Sequence, residues 1–109
     1  MSGFDRHGES LKFAVDVLSF KYQDYISSIY LYGSYARGTH SYNSDIDLLI
    51  YVNRVLSGHE IRKMRTDVIS DDYKLPEVEL KILLDGTFMG IEQFRNNIER
   101  DKVLVWEKN

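Results

Sequence analysis

Gly33 and Ser34 close an apolar run, and after ten intervening residues Asp45 and Asp47 flank a single isoleucine. A Gly-Ser turn offers backbone N–H groups and a hydroxyl to phosphate oxygens. Two carboxylates at i and i+2 of a strand point to one face, where they can share a hard cation such as Mg²⁺. Each piece alone is a common surface feature. Together, in this order and between apolar runs, they combine a phosphate cradle with a pair of hard-cation ligands. Asp at two alternate positions of a central strand is also poor for strand formation, so a local structural preference does not explain the pair.

The whole segment reads Gly33-Ser34-Tyr35-Ala36-Arg37-Gly38, a variable stretch, then Ser44-Asp45-Ile46-Asp47-Leu48. It resembles the signature of the minimal nucleotidyltransferases, small members of the superfamily that includes DNA polymerase beta. The resemblance implies attack on the α-phosphorus of ATP or a similar triphosphate, with release of pyrophosphate. It assigns Asp45 and Asp47 to two Mg²⁺ ions, and Ser34 to the terminal phosphates, with Gly33 allowing their close approach. Arg37 has two readings, a phosphate contact or an ion pair that fixes the loop. The superfamily usually carries a third acidic residue on a later strand. Glu79 and Asp85 compete for that place. Glu79 lies between Val78 and Leu80, in the apolar-acid-apolar pattern, whereas Asp85 precedes Gly86 in a turn signal. Glu79 is therefore the expected third carboxylate, as metal ligand or general base, although an Asp is more usual there. A solvated glutamate paired with Lys81 is the plain alternative.

The elements that must hold these residues are legible in outline. Leu11, Ala14, Val15, Leu18 and Tyr22 follow helical spacing, which predicts an amphipathic helix over roughly Glu9 to Tyr22. Ile29 to Tyr32 is a β-branched and aromatic run, read as a first strand. A short helical turn from Ser34 to Arg37 ends at Gly38. Asp45 to Val52 reads as a second strand, with Ile46, Leu48 and Ile50 on one side and Asp45, Asp47, Leu49 and Tyr51 on the other. Ser57 and Glu60 have capping-box spacing ahead of a stripe of Ile61, Met64 and Val68. Glu77 to Leu84 is a third strand. Thr87 caps a last helix with the stripe Ile91, Phe94 and Ile98, and Val103 to Trp106 forms a final strand. This order predicts an α/β (α+β) fold, a mixed sheet with helices packed on one face.

Composition sets the bounds. The chain has 109 residues, 43% of them hydrophobic, with one Pro and seven Gly. That suits one globular domain over 1–109. The sequence has no cysteine and only three scattered histidines, which excludes thiolate sites and argues against zinc. A net charge of -3 does not favour direct nucleic-acid binding. No apolar stretch suits a membrane span and no signal pattern opens the chain, so a cytoplasmic location is expected. His7 and His59 are expected in solvated terminal or capping positions. The tyrosines at 22, 25, 30, 32, 35 and 42 read as strand and core residues with wet hydroxyl tips rather than as base-stacking platforms.

The acceptor is the open question. The chain has no room for a second substrate-binding domain, so a second copy or a macromolecular acceptor must supply the missing surface. The resemblance points to the antitoxins of toxin–antitoxin pairs, which transfer AMP from ATP to a tyrosine of a small helical HEPN-type partner. Two other readings are a small-molecule transferase of the aminoglycoside-modifying kind working as a dimer, and a non-catalytic module that neutralises a partner by contact.

Overall fold

Asp5 starts the first helix. Its carboxylate accepts the Gly8 N–H at 3.1 Å, which caps α1 (Arg6–Lys21), and Glu9 and Lys21 sit at the ends that the helix dipole favours. The helix thus begins earlier than hydrophobic spacing alone suggests, because its first buried positions are His7 and Ser10, ahead of Ala14 and Leu18. These observations come from a computed structural model that describes residues 5–72, 74–86 and 98–109. The expected cap at Thr87 and the stripe residues Ile91 and Phe94 lie outside the described residues.

After α1 come β1 (Ile26–Tyr32), α2 (Gly33–Arg37), β2 (Ile46–Val52), α3 (Gly58–Asp67), β3 (Val78–Leu84) and β4 (Val103–Glu107). The sheet order is β3-β2-β1-β4. β1 pairs antiparallel with β2 and β4, whereas β2 and β3 run parallel. A parallel pair needs a crossover, and α3 provides it. Its start is the expected capping box: Ser57 accepts the Glu60 N–H, and Glu60 accepts the Ser57 N–H.

β2 is buried on both faces, which explains its unbroken run of Leu48, Leu49 and Ile50. Ile46, Leu48 and Ile50 join Ala14 and Leu18 of α1 and Met64 of α3 in the main core. Leu49 faces the other way, against Ile98, with Tyr30, Tyr32, Tyr51 and Leu83 around them. Ile98 lies in the helical residues 98–101. The result is a mixed α/β domain on a four-stranded sheet. Among the described residues no helix is long and apolar enough to cross a membrane.

Candidate active site

β1 and β2 bring the two halves of the motif together at one end of the sheet. Asp47 is the register partner of Tyr32 on β1 and of Glu79 on β3. The residue after Tyr32 is Gly33, at φ +82°, and a Cβ built there would overlap the Asp47 carboxylate, with its Cγ at 3.0 Å. Gly33 is therefore required twice over, for a left-handed backbone and for the space that Asp47 fills. The sequence points to the turn and to the close approach of phosphate; the neighbour it does not disclose is the aspartate of the same motif.

α2 is a single short turn that carries Ser34 and Arg37. Tyr32 stands at its N-cap and gives it no side-chain hydrogen bond. Gly38 ends the turn at φ +75°, and the Thr39 N–H returns to the Ser34 carbonyl at 2.9 Å. The backbone N–H groups at the start of α2 thus receive no hydrogen bond from their N-cap side chain.

The carboxylates repel one another. Asp47 is half-buried, and its pKa is raised by burial first, then by Asp45 and Glu79; Arg37 opposes this as the smallest of the four influences. The Tyr32 phenol is pushed up to about 12 by burial and by the same Asp47 and Glu79 charges. Among the described residues no three His, Asp or Glu side chains are arranged to hold a metal ion by themselves. Mg²⁺ does not need such a cage, since it is commonly held by one or two carboxylates plus substrate phosphates. Asp45 and Asp47 are hard oxygen donors with an excess of negative charge, and that donor set fits the ion.

Glu79 lies exposed beside this pair. Asp85 does not share the site. Its N–H donates to the Val52 carbonyl at 2.8 Å, and its carboxylate accepts the Ser27 hydroxyl at 2.5 Å, both at the far end of the sheet. Six residue steps along β3 separate it from Glu79, about 20 Å of strand. Arg37 makes an ion pair with Asp101, Nη1 to Oδ2 at 3.4 Å.

A family model described as a nucleotidyltransferase domain matches residues 11–105. The chain belongs to that family. No curated protein sequence matches it. Among solved structures, a toxin–antitoxin complex with AMP-PNP superposes with a TM-score of 0.67 at 20% identity, covering 90% of this chain and 73% of that one. A nucleotidyltransferase described from Sulfolobus solfataricus gives 0.59 at 23% identity, covering 98% and 92%. Spectinomycin adenyltransferase AAD(9) from Enterococcus faecialis, solved with ATP and spectinomycin, gives 0.63 at 19% identity, covering 90% of this chain and 48% of that one. At these identities the likeness is one of fold.

The first turn of α1 holds the loops of this nucleotidyltransferase domain in place. Arg6 donates to the Tyr42 carbonyl at 2.6 Å and, through Nε, to the Lys74 carbonyl at 2.9 Å. It therefore ties the loop before β2 to the loop before β3. Ser10 adds a bond to the Pro76 carbonyl at 2.8 Å. His7 is a correction. It is not solvated but only 3% exposed, with Nε2 at 2.9 Å from the Ser44 carbonyl. Its ring packs on Tyr35 and His40, because α1 starts early enough to place residue 7 under the loop before β2. His59 is exposed in the first turn of α3, as expected.

The tyrosines are mostly structural. Tyr22 is buried and donates to Asp67, Tyr35 donates to Asp5 at 2.7 Å, and Tyr30 meets Tyr51 edge to face. Tyr42 is 68% exposed, with the Arg6 guanidinium 3.8 Å from its ring centre. Sequence reasoning missed the Arg6 clasp, the Asp101 partner of Arg37, and an open cleft of about 590 Å³ beside Glu79. The Asp5 cap just ahead of Arg6 was the one local signal available for the clasp.

Proposed function

We propose that the protein is a Mg²⁺- and ATP-dependent adenylyltransferase whose acceptor is a tyrosine hydroxyl of a small helical HEPN-type partner, in the role of an antitoxin. The observation that carries the reading is the arrangement around Asp47, with the Gly33-Ser34 turn on one side and Glu79 on the other. Triphosphate oxygens are taken by the N–H groups at the start of α2 and by the Ser34 hydroxyl. Asp45 and Asp47 hold the metal, with Glu79 beside them as a further ligand or as the base. Bound Mg²⁺ supplies charge neutralisation on the triphosphate and lowers the pKa of the acceptor hydroxyl.

The remaining work falls to side chains. Glu79 orients the acceptor hydroxyl and takes its proton. The acceptor oxygen forms a bond to the α-phosphorus while the bond from that phosphorus to the bridging oxygen of pyrophosphate breaks. Arg37, held by Asp101, keeps a positive charge near Asp47 without filling the phosphate position. The fold likeness to a toxin–antitoxin complex with AMP-PNP supports the biological role. The likeness to AAD(9) favours a second reading, transfer of AMP to a small hydroxylated molecule. Incubation with Mg²⁺, labelled ATP and a genomically adjacent helical protein decides between them. The proposal expects AMP added to a tyrosine of that protein. Labelling of spectinomycin in the isolated protein, with none on the neighbour, supports the second reading.

A further inference from the structure

The hydrogen bonds at the two ends of β3 fix which way its backbone points. The Ile46 N–H donates to the Glu77 carbonyl at 2.9 Å, and the Asp85 N–H donates to the Val52 carbonyl at 2.8 Å. In a parallel ladder alternate residues bond to the same neighbour, so Glu79, Lys81 and Leu83 turn their backbone groups toward β2. Val78, Leu80, Ile82 and Leu84 turn theirs outward, and among the described residues β3 is an edge of the sheet. The Leu80 carbonyl meets the Arg65 guanidinium on that outer side in a long contact of 3.4 Å, and it keeps a second lone pair for another donor. An open edge of this kind is a template for a further strand. We propose that it pairs antiparallel with the same edge of a second copy of this chain, about a twofold axis through Leu80, so that two sheets join into one.

Charge selects the register. With the axis at Leu80, Leu80 meets its own copy and Val78 meets Ile82 of the second copy, so outward-pointing groups bond to outward-pointing groups. Glu79 then faces Lys81 of the second copy in a non-hydrogen-bonded pair, where side chains come closest, and the symmetry makes this opposite-charge contact twice. Neighbouring registers oppose like charges. An axis at Glu79 or at Lys81 sets that residue against itself, and an axis at Val78 or Ile82 sets Glu79 against Glu77 or Asp85. The cleft supports the same arrangement. Glu77 to Leu80 line it in unbroken succession with no residue of β2, which places it along the outer edge of β3. Val68, Ile69, Leu75 and Pro76 give it an apolar wall, and Ile69 is 69% exposed. Ile82 and Leu84 of the second copy stand opposite Val78 and Pro76, on the face that carries Val78 and Leu80 against the helices. They fill the cleft with aliphatic side chains, and Leu84, 37% exposed in the single chain, is covered. The pairing also brings Lys81 of the second copy to the carboxylate beside Asp47, so each copy lends a cation to the other's site.

Sedimentation velocity over a concentration series of the full chain, without nucleotide, reads the association directly and does not depend on the adenylyltransferase reading. The expected result is a monomer–dimer equilibrium. Amide hydrogen exchange at low and high protein concentration then locates the contact. The N–H groups of Val78, Leu80 and Ile82 should slow in the dimer, whereas those of Glu79, Lys81 and Leu83, already bonded to β2, should change far less. Lys81→Glu and Glu79→Lys each set like charges opposite one another at both pairs, and each should weaken the dimer roughly tenfold. The combined reversal Glu79→Lys/Lys81→Glu restores opposite charges and should return the dissociation constant to the wild-type value, which excludes misfolding as the cause of either single effect. Leu84→Asp puts a carboxylate into a cleft already lined by Asp72, Glu77 and Glu79, and should also favour the monomer. A chain that stays monomeric at every concentration, a dimer indifferent to the single reversals, a combined reversal that restores nothing, or slowed exchange centred outside β3 overturns the proposal.

Discussion

Gly33→Ala separates the two reasons for a glycine at this turn. Both Gly33 and Gly38 have positive φ, but a Cβ at Gly38 has nothing within 4 Å, whereas one at Gly33 overlaps the Asp47 carboxylate. Gly38→Ala therefore carries only the left-handed backbone cost, about 1–2 kcal/mol. Gly33→Ala carries that cost and must also drive Asp47 from its rotamer, a further ~0.5–1.5 kcal/mol. At about 4 °C per kcal/mol for a domain of this size, Gly38→Ala should lower Tm by roughly 4–8 °C and Gly33→Ala by roughly 6–14 °C. The decisive measurement is a double-mutant cycle with Asp47→Ala by urea denaturation. The Asp47 Cβ lies 3.2 Å from the added methyl, a contact that small shifts relieve, so truncating the carboxylate should remove most of the extra cost. The predicted coupling is about 0.5–1.5 kcal/mol, favouring the double variant over additivity. Gly33→Ala should also weaken Mg·ATP binding, because Asp47 is displaced. Equal costs at Gly33 and Gly38, with strict additivity in the cycle, would refute the Asp47 argument.

Glu79→Gln should lower transfer about 10²–10⁴-fold while Mg·ATP affinity is largely kept, and Asp85→Asn should leave transfer nearly unchanged; the opposite ranking in a transfer assay moves the third carboxylate to Asp85. Asp47→Asn should make the metal-free protein more resistant to urea at pH 7. Its folded pKa is raised, so the ionised carboxylate destabilises the fold above that pKa, and the cost fades as pH falls through it toward the unfolded value; a less stable variant in chelator contradicts this. Glu60 has the opposite sign. The Arg54 guanidinium, then the Ser57 N–H, hold its carboxyl at about 2 against an ordinary 4.5, so its stabilisation is present above 4.5 and lost as pH falls toward 2. The Tm gap between wild type and Glu60→Gln should close across that window, and a gap that persists at pH 2 rules the mechanism out.

What the sequence disclosed was local. Ser57 and Glu60 announce α3, because a capping box is written in four consecutive residues. Gly38 ends α2 because only a glycine enters the left-handed region there without strain. Ile46, Leu48 and Ile50 alternate against Asp47 and Leu49 because a strand has a period of two. What stayed hidden depends on partners distant in the chain. His7 became buried through the loop before β2, and no periodicity connects residue 7 to residue 44. Arg6 ties residue 42 to residue 74, and Arg37 meets Asp101, through the folding together of β1, β2 and β4. The choice between Glu79 and Asp85 is of the same kind. Both have the same parity along one stretch of sequence, and only the fold shows that Glu79 pairs with Asp47 in the parallel register whereas Asp85 falls in the turn after β3, at the far end of the sheet. The cleft is built from α3, the following loop and the start of β3, so no single stretch of sequence outlines it.

The central claim is that Asp45 and Asp47 bind a triphosphate through Mg²⁺ at the Gly33-Ser34 turn. Calorimetry of ATP binding, with and without Mg²⁺, in wild type and in the Asp45→Asn/Asp47→Asn variant tests it most directly, since an amide is a poor ligand for a hard dication. Wild type should bind ATP only with Mg²⁺ present, and the double variant, with its fold retained, should not bind it. Mg²⁺-dependent binding of equal strength in both proteins would contradict it.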